Sequence, residues 1–319
     1  MCLICARTKA KRWWIGGLGL LLSAVLLTGY FIPVSVPVMD LSAASETADT
    51  TYYDMIHKDC QKDEAADFRV KKYQLDFSVG LNLTGSAKVY VDRSELKSYR
   101  FTLYHGYKVK QVTDQTGAAL DFRREYDYVT VTRGGAAVEY LCLEYTGKSP
   151  KYYSSYAGVC LPANFAYYPI PGYRELFKDN FYGFIDCSLP YDTAFDVRCS
   201  GRKQMYCNLA ARGDNHFAGN ARSITLLSGY YDTLKLNDTL VVYPKYADTE
   251  IQAKIKKNMG TFTKEHRDIR TIFIMGADNL TPYEHLRSYD GYLVTSSIYD
   301  MEQSYFCLLY TSPSPRDCS

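Results

Sequence analysis

Tyr73-Gln74-Leu75-Asp76-Phe77-Ser78-Val79-Gly80-Leu81-Asn82-Leu83 carries an apolar side chain on every second residue, with Gln74, Asp76, Ser78 and Asn82 between them. Side chains of an extended strand alternate between its two faces, so this spacing predicts a strand with one face buried. A slip of one residue would turn the whole apolar set outward, which pins the register. Gly85 punctuates the pattern, and Ala87, Val89 and Val91 repeat it as the expected hairpin partner.

Downstream, short apolar-alternating runs at 99–104, 108–113, 118–122, 126–132 and 137–145 are separated by turn signals such as Gln115-Thr116-Gly117 and Arg133-Gly134-Gly135. Further strands are expected at 193–199, 204–209, 223–228 and 239–244. This spacing is that of an antiparallel β-sandwich covering residues 68–246. The stretch 154–191 interrupts the rhythm: Asn164-Phe165-Ala166-Tyr167-Tyr168-Pro169-Ile170-Pro171-Gly172 suits a long packed loop, since proline cannot donate to a ladder.

After Tyr246 the period changes. Ile251, Ile255, Met259 and Phe262 share one helical face, Lys254, Lys256 and Lys257 lie on others, and Asp248 or Thr249 can cap. Apolar strands follow at 270–276 and 292–295. A helix followed by strands marks a second unit of α+β class at 247–306.

The charge is nearly balanced, 37 Lys+Arg against 35 Asp+Glu, so no nucleic-acid partner is expected. Tyrosine dominates the aromatics, 31 against 14 Phe and 2 Trp, which suits half-buried strands whose hydroxyls reach polar partners. Cys60, Cys142, Cys160, Cys187, Cys199 and Cys207 show no C-x-x-C spacing and no zinc-finger histidines. Either these thiols are unpaired, or disulfides form in an oxidising compartment, with Cys199 and Cys207 the first pair to consider.

At the N-terminus, a basic tail (1–12, with Arg7, Lys9, Lys11 and Arg12) precedes an uncharged run at 13–39. Its most apolar part, 13–32, is long enough to cross a bilayer, and Trp13, Trp14 and Tyr30 sit at its ends. The expectation is a retained transmembrane helix with the N-terminus cytoplasmic and the remainder extracytoplasmic. A cleaved signal peptide ending near Ser42-Ala43-Ala44 is the alternative, disfavoured by the length of the apolar run. Residues 40–67 are polar and without period, as in a linker. At the other end, residues 307–317, Cys-Leu-Leu-Tyr-Thr-Ser-Pro-Ser-Pro-Arg-Asp, resemble an in-frame translation of a transposase sequencing adapter. Residues 307–319 are therefore expected to be foreign, and 247–306 to be cut short.

The order of these features resembles the membrane alanyl aminopeptidase family, the M-one zinc peptidases. A membrane anchor is followed by a β region opening Tyr73-Gln74-Leu75-Asp76-Phe77-Ser78-Val79. Tyr167-Tyr168-Pro169 then precedes Tyr191-Asp192-Thr193-Ala194-Phe195-Asp196-Val197, and Gly229-Tyr230-Tyr231 leads to a helix. The resemblance covers about residues 68–300 and implies a saddle-shaped β domain ahead of a thermolysin-like catalytic domain. The bacterial version joined to an ABC-type exporter permease is the nearest in kind. It implies zinc in a catalytic part beyond this sequence, with membrane, peptide substrate or permease subunits as partners.

The departures are specific. His57, His105, His216, His266 and His285 form no H-E-x-x-H pair, and where the family carries Gly-x-Met-Glu-Asn this chain has Asp290-Gly291-Tyr292-Leu293-Val294. Accordingly no catalytic residue and no metal ligand is assigned, and no substrate-binding residue is singled out. Gly213-Asp214-Asn215-His216 and Glu284-His285 are read as polar turns, and neither a Walker loop nor a G-x-S-x-G elbow occurs. Asn82, Asn237 and Asn279 open glycosylation sequons. A non-enzymatic extracytoplasmic β domain of a sensor or permease-associated protein is the alternative to the peptidase reading.

Overall fold

The computed structural model describes residues 17–24, 49–55, 62–155, 158–178, 183–201, 203–245, 249–275 and 286–295. The opening stretch forms the centre of a seven-stranded sheet. Its order is Ala210–Gly213, His216–Ala221, Thr193–Ser200, Val70–Val79, Leu83–Val91, Tyr140–Gly147, Tyr107–Thr113. Tyr73, Leu75, Phe77, Ala87, Val89 and Val91 are buried as the alternation requires, while Val79 is half-buried against the same core.

Two details differ from the periodicity. The hairpin turns at 80–82 rather than at Gly85, leaving Leu81 69% exposed at the tip. Gly85 instead lies within the strand, opposite Phe77. The sheet is also not wholly antiparallel: Val70–Val79 runs parallel to Thr193–Ser200, with Leu75 opposite Val197. A parallel pair needs a long crossover, and residues 80–192 supply it.

A four-stranded sheet, Ile170–Pro171, Ser98–Thr102, Tyr128–Thr132, Phe122–Glu125, contributes Tyr99, Phe101, Val129 and Val131 to the same core. A second one orders Met205–Cys207, Leu226–Ser228, Gly158–Leu161 and Ser154–Ser155. The described part of the packed loop expected at 154–191 is thus largely buried and only briefly laddered. Tyr73 Oη donates to Pro169 O at 2.8 Å, Tyr145 Oη to Tyr167 O at 2.9 Å, and Tyr167 Oη to Ile224 O at 2.8 Å. Here tyrosine hydroxyls satisfy carbonyls that no strand partner reaches.

The helix is present at Thr249–Glu265, burying Ile255, Met259 and Phe262. It connects Thr239–Pro244 to Thr271–Ile274, which pair in parallel. The strand read as the last of the sandwich therefore belongs to a five-stranded mixed sheet. That sheet is ordered Tyr231–Leu236, Thr239–Pro244, Thr271–Ile274, Tyr292–Thr295, Leu286–Tyr289. Pairing of 239–244 is decided by a partner thirty residues away, which local pattern does not reveal.

Among the described residues no helix is long and apolar enough to cross a membrane. The expected span at 13–39 lies outside them apart from 17–24, which is helical with Leu18, Leu20, Leu21 and Leu22 exposed. The foreign-looking tail lies wholly outside them. Part of the expected linker is ordered: 49–55 is helical with Asp49 and Tyr53 buried. Glu64 then bridges Tyr173, and Arg100 pairs with Glu64 at 2.6 Å and Asp67 at 2.9 Å. Among its described residues the side chains that pack inward, Asp49, Tyr52, Tyr53 and Ala66, follow no strand period.

Candidate functional site at the junction of two sheets

The mixed sheet packs one face on its helix and the other on the β region. Ile272, Ile274 and Leu293 join Ile255, Met259 and Phe262; Phe273, Val242 and Val294 join Cys160, Ala163 and Leu227. Alternation along Thr271–Ile274 sends successive side chains to opposite layers, which explains its uninterrupted apolar run. A polar link crosses the junction, with Ser223 Oγ and Tyr292 Oη 3.0 Å apart, while within the mixed sheet Tyr231 Oη donates to Met275 O at 2.8 Å. At the rim Arg222 Nε lies 3.5 Å from Asp192 and 3.9 Å from Asp290.

Beside this junction lies Asn164, wholly buried. Its Nδ2 donates to Tyr152 Oη at 3.1 Å and to Phe184 O at 3.5 Å, and its backbone carbonyl accepts from Cys187 Sγ at 3.7 Å. Its Oδ1 has no partner among the described residues. A buried amide oxygen left bare costs about 1–3 kcal/mol. Tyr168, Asp186, Tyr289 and Tyr292 share the neighbourhood. Burial first, then surrounding charges that include Asp186, hold the Tyr168 and Tyr289 phenols well above their ordinary value. Burial and Asp186 likewise push the Cys187 thiol up. At neutral pH these phenols and the thiol are therefore neutral.

Three of the five histidines lie among the described residues. His216 Nε2 lies 2.9 Å from Asp196, His105 Nδ1 lies 3.3 Å from Asp127, and the His266 ring lies against Phe262; His57 and His285 are outside the described residues. Among the described residues no group of three His, Cys, Asp or Glu side chains is arranged to hold a metal ion. Gly213-Asp214-Asn215-His216 is a tight turn between Ala210–Gly213 and His216–Ala221, with Asn215 at φ 51°. Asn215 uses both side-chain atoms on backbone: Oδ1 accepts from Met205 N at 2.8 Å and Nδ2 donates to Lys203 O at 2.9 Å. Asp290-Gly291 forms the two-residue turn of the hairpin Leu286–Tyr289/Tyr292–Thr295, with Gly291 at φ 80°. Glu284 and His285 lie outside the described residues.

Cys142, Cys160, Cys187, Cys199 and Cys207 are free thiols, so Cys199 and Cys207 are not bonded to each other here; Cys60 is outside the described residues. Asn164 and Tyr168 stand in the loop that the sequence singled out, yet neither was assigned a role. The signal was a lone carboxamide within an aromatic, proline-rich run.

No protein-family model matches this chain, and no curated protein matches it. Solved structures do. Yeast LTA4 hydrolase in complex with bestatin superposes with a TM-score of 0.52 at 11% identity, over 76% of this chain and 43% of that one. An M1 zinc metallopeptidase variant from Deinococcus radiodurans gives 0.44 at 13% identity, over 73% of this chain and 62% of that one. An aminopeptidase N family protein from Idiomarina loihiensis gives 0.47 at 9% identity, over 73% and 43%. The chain thus spans less than two thirds of each of these proteins. The match to yeast LTA4 hydrolase shows a shared fold.

Proposed function

We propose that this chain is the membrane-anchored, non-catalytic N-terminal part of an M1-like zinc aminopeptidase, its β region forming one wall of a peptide cleft. The observation that supports this is the fold shared with yeast LTA4 hydrolase over 76% of the chain. On this reading the H-E-x-x-H helix and its zinc lie outside these 319 residues. Residues 13–39 anchor the protein with the N-terminus cytoplasmic, the partners are membrane and peptide or permease subunits, and 307–319 are adapter-derived.

A second reading, a β domain of a sensor or permease-associated protein that keeps the fold without the chemistry, is favoured by one observation. The Asp290-Gly291 hairpin turn stands where the resemblance calls for a Glu-bearing motif that holds the substrate amine. Genomic sequence beyond Phe306 separates the two: an H-E-x-x-H soon after it supports the peptidase, and its absence supports the sensor. The 319-residue chain itself should retain no zinc after dialysis and turn over no aminoacyl-fluorogenic substrate. One tightly held zinc with metal-dependent turnover would overturn both readings of this region.

A further inference from the structure

Residues 49–55 form a short helix whose buried side chains, Asp49 (1% exposed) and Tyr53 (2% exposed), dock on the β region. The Tyr53 ring stacks on Phe177 at 4.8 Å and 5° and meets Phe184 edge-on at 6.1 Å, while its Oη donates to Asp127 Oδ2 at 3.1 Å. Tyr52 stacks on the His105 ring at 3.5 Å. Asp49 Oδ1 accepts from Tyr104 Oη at 2.6 Å, and Asp49 Oδ2 has no partner among the described residues. Phe177 and Phe184 belong to the small ladder Phe177–Lys178/Gly183–Phe184, whose Phe184 carbonyl faces the Asn164 amide. The helix therefore clamps the ladder that supports Asn164.

We propose that residues 49–55 are a proton-sensitive clasp. Asp49, seated in an aromatic box with one oxygen unbonded, holds the helix and the Phe177–Phe184 ladder down most tightly when it carries a proton, and loosens both when it ionises. The groups facing Asp49 are Tyr104 and His105 from the turn after Ser98–Thr102, Asp127 from the turn before Tyr128–Thr132, and Lys151 beyond Tyr140–Gly147. Arg124 faces Asp127, and Tyr53 contributes from the helix itself. Burial outweighs the Tyr104 hydrogen bond and the attraction of His105 and Lys151, while Asp127 repels, so the carboxyl is pushed up to about 6 from 3.8.

The sign follows from linkage. The docked state binds the proton more tightly than the undocked one, so docking is strongest at acid pH and declines as pH rises through this range. The clasp rests on the geometry around Asp49 and stands apart from the peptidase reading.

The test is hydrogen–deuterium exchange of the full 319-residue chain at about pH 4.5 and about pH 7.5, each normalised to intrinsic exchange rates. Peptides covering 49–55 should be protected roughly twentyfold more at the acid pH, the ratio given by the two Asp49 pKa values. Asp49→Asn, which keeps the acceptor for Tyr104 and removes the charge, should stay protected at both. Tyr53→Ala should release 49–55 at both pH values and speed exchange at Phe177 and Phe184, with Val70–Val79 still protected as proof of folding. Equal wild-type protection at both pH values would overturn the proposal, as would a wild-type pH dependence surviving in Asp49→Asn. An unmoved Phe177–Phe184 ladder in folded Tyr53→Ala would overturn the coupling.

Discussion

Gly85 lies beneath the ring of Tyr145, its cross-strand partner, so closely that a Cβ there would sit 2.4 Å from Tyr145 Cζ. The ring has no free retreat, because its hydroxyl is bonded to Tyr167 O and holds the buried loop. Gly85→Ala should therefore cost about 3 kcal/mol, from overpacking and a strained or lost hydrogen bond. Urea unfolding measures it. In a Tyr145→Leu background the same substitution should cost far less, and equal costs in both backgrounds would refute the contact.

The Asn215 turn gives a second test, which asks whether Gly213-Asp214-Asn215-His216 is a structural turn or a metal-holding loop. Asn215 combines a left-handed backbone with two side-chain bonds to Met205 N and Lys203 O. Asn215→Ala loses both and adds backbone strain, for about 2–3 kcal/mol of destabilisation. Asn215→Gly should recover only the backbone part. If both variants instead keep wild-type stability while His216→Ala abolishes a measurable zinc or calcium affinity, the turn is a ligand loop after all.

What periodicity could reveal, it revealed: the inward set Tyr73, Leu75 and Phe77, the strand Thr239–Pro244 to the residue, and the helical face Ile255, Met259 and Phe262. Period-2 reasoning assumes that the chain keeps going, so it counted Leu81 as buried although the chain reverses there. It also fails where burial has no period. Asp49 and Tyr53 are two insertions on one short helix, and Ala210–Gly213 is an edge strand exposed at every residue. Asn164 was in plain view, but nothing local tells a buried carboxamide from a loop asparagine. Membership of Thr239–Pro244 in the mixed sheet depends on Thr271–Ile274, a relationship visible only after folding.

Thiol chemistry offers a third prediction. Burial holds the Cys187 and Cys199 thiols above their ordinary value and pushes Cys207 up to about 12. Cys160 is fully buried, whereas Cys142 is half-exposed on the outer face with Ser86 Oγ at 3.5 Å. Alkylation of the native protein at neutral pH should thus modify Cys142 well before Cys160, Cys187, Cys199 or Cys207, which should react together on unfolding. Peptide mapping after timed iodoacetamide exposure reads this order. Early labelling of Cys199 or Cys207 would show that their part of the core opens readily.

The mixed sheet supplies the last. Ile272 and Phe273 are neighbours in sequence, yet one packs with the helix cluster and the other with Cys160, Ala163 and Leu227 of the β region. Both are wholly buried, so truncation to alanine should cost about 2–5 kcal/mol for Ile272 and about 3–5 kcal/mol for Phe273. The two losses fall on different interfaces. Ile272→Ala weakens the mixed sheet against its own helix, while Phe273→Ala weakens the contact through which sheet and β region stabilise each other. In calorimetry, Ile272→Ala should lower the melting of the mixed sheet with the junction intact. Phe273→Ala should separate the melting of the mixed sheet from that of the β region. If Phe273→Ala leaves the coupling of the two transitions as in the wild type, the junction carries no cooperativity and the wall it forms beside Asn164 is not rigid.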